Sequence, residues 1–218
     1  MKQKIIHQIF LKLTDKDMSD YGYDKNSKVW REWCKKNGFR YMLHNEASLD
    51  KVMNSKDRQM RARVKRDGRH NFINLDWGKY LVMNYYGGAY IDLDVLPKPN
   101  SLSYLQRPPP ILSSWSGDGS RPNTKAGLWC NSQVLVFDKG TARELLDYAY
   151  KEYEKKSKIA SYKDRPVRFY FQVAGPKMIC RWARDNGIDY QKDFNRFFID
   201  EESQAWLPKK KNVLKSKT

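Results

Sequence analysis

The sequence predicts an α/β fold, a mostly parallel central sheet flanked by helices. Three observations carry this. Residues 4–10, 24–36 and 39–43 read as strand, helix and strand, a βαβ unit whose crossover implies parallel pairing. Residues 71–86 read as a helix stopped by Gly87-Gly88, and residues 89–95 follow as an alternating strand. Aromatic residues make up 14% of the chain, which a disordered sequence lacks, so there is material for a core.

The elements follow in order. Lys4-Ile5-Ile6-His7-Gln8-Ile9-Phe10 is rich in β-branched residues and reads as a strand buried on both faces. Residues 24–36 carry Val29, Trp30 and Trp33 as an apolar stripe, with Gly38 just past the end. Pro97 and Pro99 stop the strand at 89–95, and a proline-rich loop spans 98–110. Strands are expected at 111–114 and 133–137. Thr141 opens a helix to about residue 156 through a capping box with Glu144. Pro176 opens another helix, and Phe197-Phe198-Ile199 is a late strand. At about 150 residues per domain, 218 residues make one compact domain, 1–207, with 208–218 a basic tail or linker.

No apolar run approaches the ~18 residues needed to cross a bilayer. The start, Met1-Lys2-Gln3-Lys4, leads into an apolar run broken by His7 and Gln8, unlike a signal peptide. Cys34, Cys130 and Cys180 are too few and scattered for a disulfide framework or zinc site. The expectation is a soluble protein in a reducing cytoplasm.

Lys and Arg number 42 against 25 acids, a net charge of +17, enough to attract polyanions. The basic residues gather at 56–69 and in the tail, where a solvated helix face and a frayed terminus are the plainer readings.

Chemistry concentrates at 86–97. Alternation sends Ala89, Ile91, Leu93 and Val95 to one face, and Tyr90, Asp92 and Asp94 to the other. Two carboxylates so placed repel each other unless a cation joins them. Hard oxygens of this kind suit Mg²⁺ or Mn²⁺, which favour one or two carboxylates plus substrate phosphates. The carboxyl end of a strand in an open α/β sheet is also where ligands bind.

These residues resemble the DXD sugar-binding family of GT-A glycosyltransferases, which includes Golgi mannosyltransferases, capsular polysaccharide transferases and, distantly, glucosylating cytotoxins. Residues 4–10 match its opening strand, Asp76-Trp77-Gly78-Lys79-Tyr80 its Asp-x-x-Arg-Tyr helix, and residues 86–94 its core signature. A minimal viral glycosyltransferase is one form such a chain could take. The resemblance implies a single GT-A, Rossmann-like domain and a hexosyl- or deoxyhexosyltransferase. It further implies Mn²⁺ (or Mg²⁺) as cofactor, a UDP-sugar donor, a glycan or glycoprotein acceptor, and retention of configuration. Asp92 and Asp94 would hold the metal, and with Lys79 form the catalytic set. Phe10 would stack on the base, with Ile9 offering backbone contacts. Asp76 would bind sugar hydroxyls, and Lys79 the sugar or diphosphate. Tyr90 would lie beside the donor, Asn131 falls at a further donor-binding landmark, and Trp206 would close the site. The family usually has Arg where this chain has Lys79, exchanging a bidentate fork for a point charge.

Two rivals belong to other classes. A nucleic-acid-binding protein would need basic residues interleaved with aromatics, and the basic cluster has few. A metal-dependent phosphoesterase would gather more acids or histidines around Asp92 and Asp94. His7, in the first strand, reads as a core histidine.

Overall fold

The computed structural model describes residues 4–68, 72–114, 130–159, 162, 166–188 and 194–200. β1 (Ile5–Ile9), α1 (Tyr23–Asn37) and β2 (Arg40–His44) form the expected unit, with β1 and β2 parallel. Two helices that the sequence reading did not place follow, α2 (Glu46–Val52) and α3 (Ser55–Arg66). Each opens on a reciprocal capping box, Asn45 with Ser48 and Asn54 with Asp57.

α4 (Phe72–Tyr86) is the central helix. Residues 73–83 are buried apart from Leu75, as expected of a helix that is apolar almost all round. Gly78 makes this position accessible. A Cβ there would stand 3.1 Å from Leu49 Cδ1 and 3.3 Å from Ile9 Cδ1. Its absence lets α4 lie close against β1 and α2, offsetting the ~1 kcal/mol that glycine costs inside a helix.

β3 (Gly88–Ile91), β5 (Ile111–Ser114) and β6 (Cys130–Phe137) complete a sheet of order β2-β1-β3-β6-β5. β1 pairs in parallel with β2 and β3, whereas β6 runs antiparallel to both β3 and β5. The sheet is therefore mixed, not mostly parallel. Neither the apolar character of β6 nor its alternation encodes strand direction.

The expected strand over 89–95 is also divided. β3 ends at Ile91 and a turn covers Asp92 to Asp94. β4 (Val95–Pro97) then leaves the main sheet to pair antiparallel with β7 (Phe198–Asp200). The proline-rich connection holds a short helix, α5 (Ser101–Leu105). α6 (Lys139–Lys156) begins earlier than expected, because Asp138 is its cap and accepts from Thr141 N at 2.8 Å. α7 (Pro166–Val173), α8 (Pro176–Asp185) and α9 (Phe194–Phe197) follow, with Pro176 at the first turn of α8 as its sequence suggested.

Alternation along the strands divides the core in two. Tyr90, Leu135 and Phe137 face α4, α6 and α8. Ala89, Ile91, Val134 and Val136 face Trp30 of α1 and Tyr104 of α5. Tyr90 and α4 thus share one side of the sheet. Among the described residues no helix is long and apolar enough to cross a membrane.

Candidate active site

The Asp92–Asp94 turn is held through its backbone. Gln8 of β1 donates to Asp92 O at 3.2 Å, and Asp92 N donates to Gln133 O at 2.8 Å. From α1, Asn26 Nδ2 donates to Leu93 O at 2.9 Å, and Trp30 Nε1 to Val95 O at 2.6 Å. Trp30 is fully buried, so its hydrogen bond is sheltered from water. Tyr41 orients Gln8, donating to its Oε1 at 2.8 Å. These contacts set the turn's geometry before any ligand arrives.

Beneath the turn lies a buried ionic cluster. Lys79 Nζ is 2.7 Å from Asp76 Oδ1, 3.0 Å from Asp92 Oδ1 and 3.4 Å from Ser132 O, and sits 4.9 Å above the centre of the Tyr90 ring. Asp76 is 1% exposed and Lys79 3%. One helical turn separates the two, so both project from the same face of α4. The hydroxyl of Tyr90 donates to Asp92 Oδ1 at 2.7 Å, and that of Tyr170, on α7, donates to Asp76 Oδ2 at 2.7 Å.

Electrostatics follow from this packing. Burial opposes the charge on Lys79, but Asp76 and Asp92 outweigh it and hold its pKa above the ordinary lysine value. Burial raises the Asp92 carboxyl above the usual range, and Lys79 and the Tyr90 hydroxyl draw it back only in part. Burial, with the nearby carboxylates, pushes Tyr90 and Tyr170 well up, so both stay protonated as donors. The charge of Asp94 also bears on Tyr90, which brings three carboxylates and one ammonium into one neighbourhood. Two of these carboxylates, Asp76 and Asp92, already answer Lys79. Among the described residues no three His, Cys, Asp or Glu side chains form a metal-binding group.

No protein-family model matches the chain, and no curated protein matches it. Among solved structures, it is similar to the PaToxG glycosyltransferase, at 15% identity and a TM-score of 0.51. The match covers 85% of this chain and 70% of the other. The fold is glycosyltransferase-like.

The structure brings Asp76, Lys79, Tyr90 and Asp92 together, with Asp94 on the same turn. Phe10 follows β1, half-buried, its N–H bonded to His44 O at 2.9 Å. It sits at the same end of the sheet as Asp92, since Gln8 already reaches Asp92 O. The side chain of Ile9 lies in the core. Asn131 lies on β6 opposite Ser113, and Trp206 falls outside the described residues, as does the 208–218 tail. Tyr170 escaped the sequence reading because it meets Asp76 across 94 positions of chain. Only its place among Phe169, Phe171 and Val173 hinted at a helix with an inward face.

His7 is a core histidine, with Nδ1 2.9 Å from His44 Nε2 and Nε2 2.8 Å from Gly87 O. The basic stretch of α3 is largely answered by acids. Lys56 pairs with Asp147, Arg61 with Glu46 and Asp50, and Arg63 with Asp67 and Glu154.

Proposed function

We propose that this protein is a metal-dependent glycosyltransferase that moves a sugar from a nucleoside diphosphate sugar to a glycan or glycoprotein acceptor. The observation that carries the reading is the Asp76–Lys79–Asp92 cluster beneath a pre-formed Asp92–Asp94 turn, at the carboxyl end of β3 in a glycosyltransferase-like fold. Open α/β sheets bind ligands at that end. A uridine diphosphate sugar is the proposed donor, with retention at the anomeric carbon, both by the sequence resemblance.

Asp92 and Asp94 would hold Mn²⁺ or Mg²⁺. When bound, the ion would offset charge on the departing diphosphate. The chain's own residues do the rest. Phe10, half-buried just past the end of β1, would offer a ring for the base. Lys79 is locked between two carboxylates, so it fixes their orientation and adds positive potential below the diphosphate. Asp76 keeps spare acceptor capacity, because each carboxylate oxygen can take two hydrogen bonds and each has one partner here. Asp76 is 1% exposed, so sugar hydroxyls would reach it only if the side chains over the cluster move aside.

Thermal-shift titration tests the reading. Nucleoside diphosphate sugars should raise the melting temperature only when Mn²⁺ or Mg²⁺ is present. A shift by metal-free donor equal to that with metal would contradict the proposed role of the turn.

A further inference from the structure

At the opposite end of the strands lies a recess of about 370 Å³. It lies where β1 and β3 begin and β6 ends, between Ile5, Gly88 and Phe137. From Gly88 to Asp92 is about 13 Å at ~3.3 Å per strand residue, so the recess is separate from the Asp92–Asp94 turn. Its volume falls within the ~300–1,000 Å³ of small-molecule sites.

The walls are carbon: Phe39, Tyr86, Leu105 and Val136 line them. The charges around them are unbalanced. Lys4, Arg107 and Lys139 are basic, and the one acid, Asp138, is engaged with Thr141 as the cap of α6. Arg107 lies over the rings of Tyr104 and Phe197, at 5.0 and 4.7 Å. Lys4 and Lys139 are exposed, and among the described residues neither has an acidic partner. Lys4 rests over the Phe39 ring at 5.7 Å, which puts a cation beside an apolar wall.

That combination selects one class of occupant. A purely polar ligand would leave its hydrogen-bonding groups against carbon, and a cation would meet repulsion. An apolar body covers the partly exposed rings of Phe39 and Tyr86 over a floor of Leu105 and Val136, and a single negative head answers the lysines. We propose that this recess binds an amphipathic anion, an acyl or aryl body seated on the apolar walls with its carboxylate towards Lys4 and Lys139. The proposal is independent of the glycosyltransferase reading.

Calorimetry with decanoate on the full chain tests it. Decanoate should bind at a single saturable site, with decan-1-ol and decylammonium weaker by about tenfold or more. The Lys4→Ala/Lys139→Ala variant changes only exposed side chains. It should weaken decanoate by roughly threefold to tenfold, the worth of two partly exposed ion pairs, without changing decan-1-ol binding. Val136→Phe should fill the recess and abolish binding; if that variant does not fold, the lysine variant still decides. Asp92→Asn should bind decanoate like the native chain. The proposal is overturned by no saturable heat, by equal affinity for all three probes, or by an unchanged lysine variant. Loss of binding in Asp92→Asn would also overturn it, by placing the ligand at the other end of the strands.

Discussion

Replacing Lys79 by methionine removes the only cation between Asp76 and Asp92 among the described residues, in a space that is nearly dry. The two carboxylates are 2.7 and 3.0 Å from its ammonium, and Asp76 is almost fully buried. Removing one partner of a buried ion pair costs about 3–5 kcal/mol, because the charge left behind is uncompensated. Asp92, 23% exposed, regains some water and contributes the smaller share. For a chain of this length that loss lowers the melting temperature by roughly 6–20 °C, at ~2–4 °C per kcal/mol. The effect depends on pH. Lys79 is the strongest influence drawing Asp92 down, so without it burial raises that carboxyl further. An acid whose folded pKa lies above its unfolded value of about 3.9 weakens the fold most above that folded pKa. The gap between Lys79→Met and the native chain should thus be widest near pH 7.5 and narrower at pH 5. Lys79→Arg keeps the charge and should recover more than half of the loss. Urea denaturation at both pH values measures these quantities. A loss below about 1 kcal/mol, or an equal gap at both pH values, would refute the buried-counter-ion account.

Three further outcomes follow from the same geometry. Burial pushes His7 down to about 3 and His44 to about 4, so the unfolded chain takes up protons below about 6.5 that the native one refuses. Stability should be fully present above pH 6.5 and fall by up to ~2.7 kcal/mol per pH unit towards pH 4, and His44→Gln should roughly halve that slope in pH-jump denaturation. Tyr170→Phe leaves a buried oxygen of Asp76 short of a donor and should cost ~1–3 kcal/mol of stability; an unchanged urea midpoint would detach α7 from the site. Phe10→Ala should weaken UDP binding by ~1–3 kcal/mol if its ring carries the base, and equal calorimetric affinities would return Phe10 to a structural role.

Much of the fold was legible because its signals are local. Trp30 and Trp33 on one stripe, Gly38 beyond it and the β-branched run of β1 each announce their element within a few residues. Asp92 and Asp94 stood out as paired carboxylates on one face of an alternating strand, whereas Asp76 and Lys79 were singled out only by the family resemblance, since an acid and a lysine three apart on a helix read equally well as a surface pair. Other features had no local sign. Alternation runs unbroken from Ala89 to Val95, so nothing in it reveals that the chain leaves the sheet at Asp92. The side chains that hold this turn, Gln8, Asn26 and Trp30, come from far earlier in the chain. The reversed direction of β6 and the contact of Tyr170 with Asp76 are tertiary facts. By contrast, the caps of α2 and α3 were readable: Asn45 and Asn54 each precede a reciprocating side chain by three residues. Asp138 likewise precedes Thr141 by three, and it displaces Thr141 as the cap because its carboxylate reaches Thr141 N.

The central claim is that Asp92 and Asp94 join a divalent cation to a nucleotide-sugar diphosphate. Its most direct test is release of UDP from a panel of UDP-sugars, measured with and without an acceptor mixture, in Mn²⁺ and in excess chelator. The native protein should release UDP from at least one donor in Mn²⁺ and stop in chelator. Asp92→Asn should lose this release while its far-ultraviolet circular dichroism stays native. Equal release in chelator, or full release by the folded Asp92→Asn variant, would contradict the account.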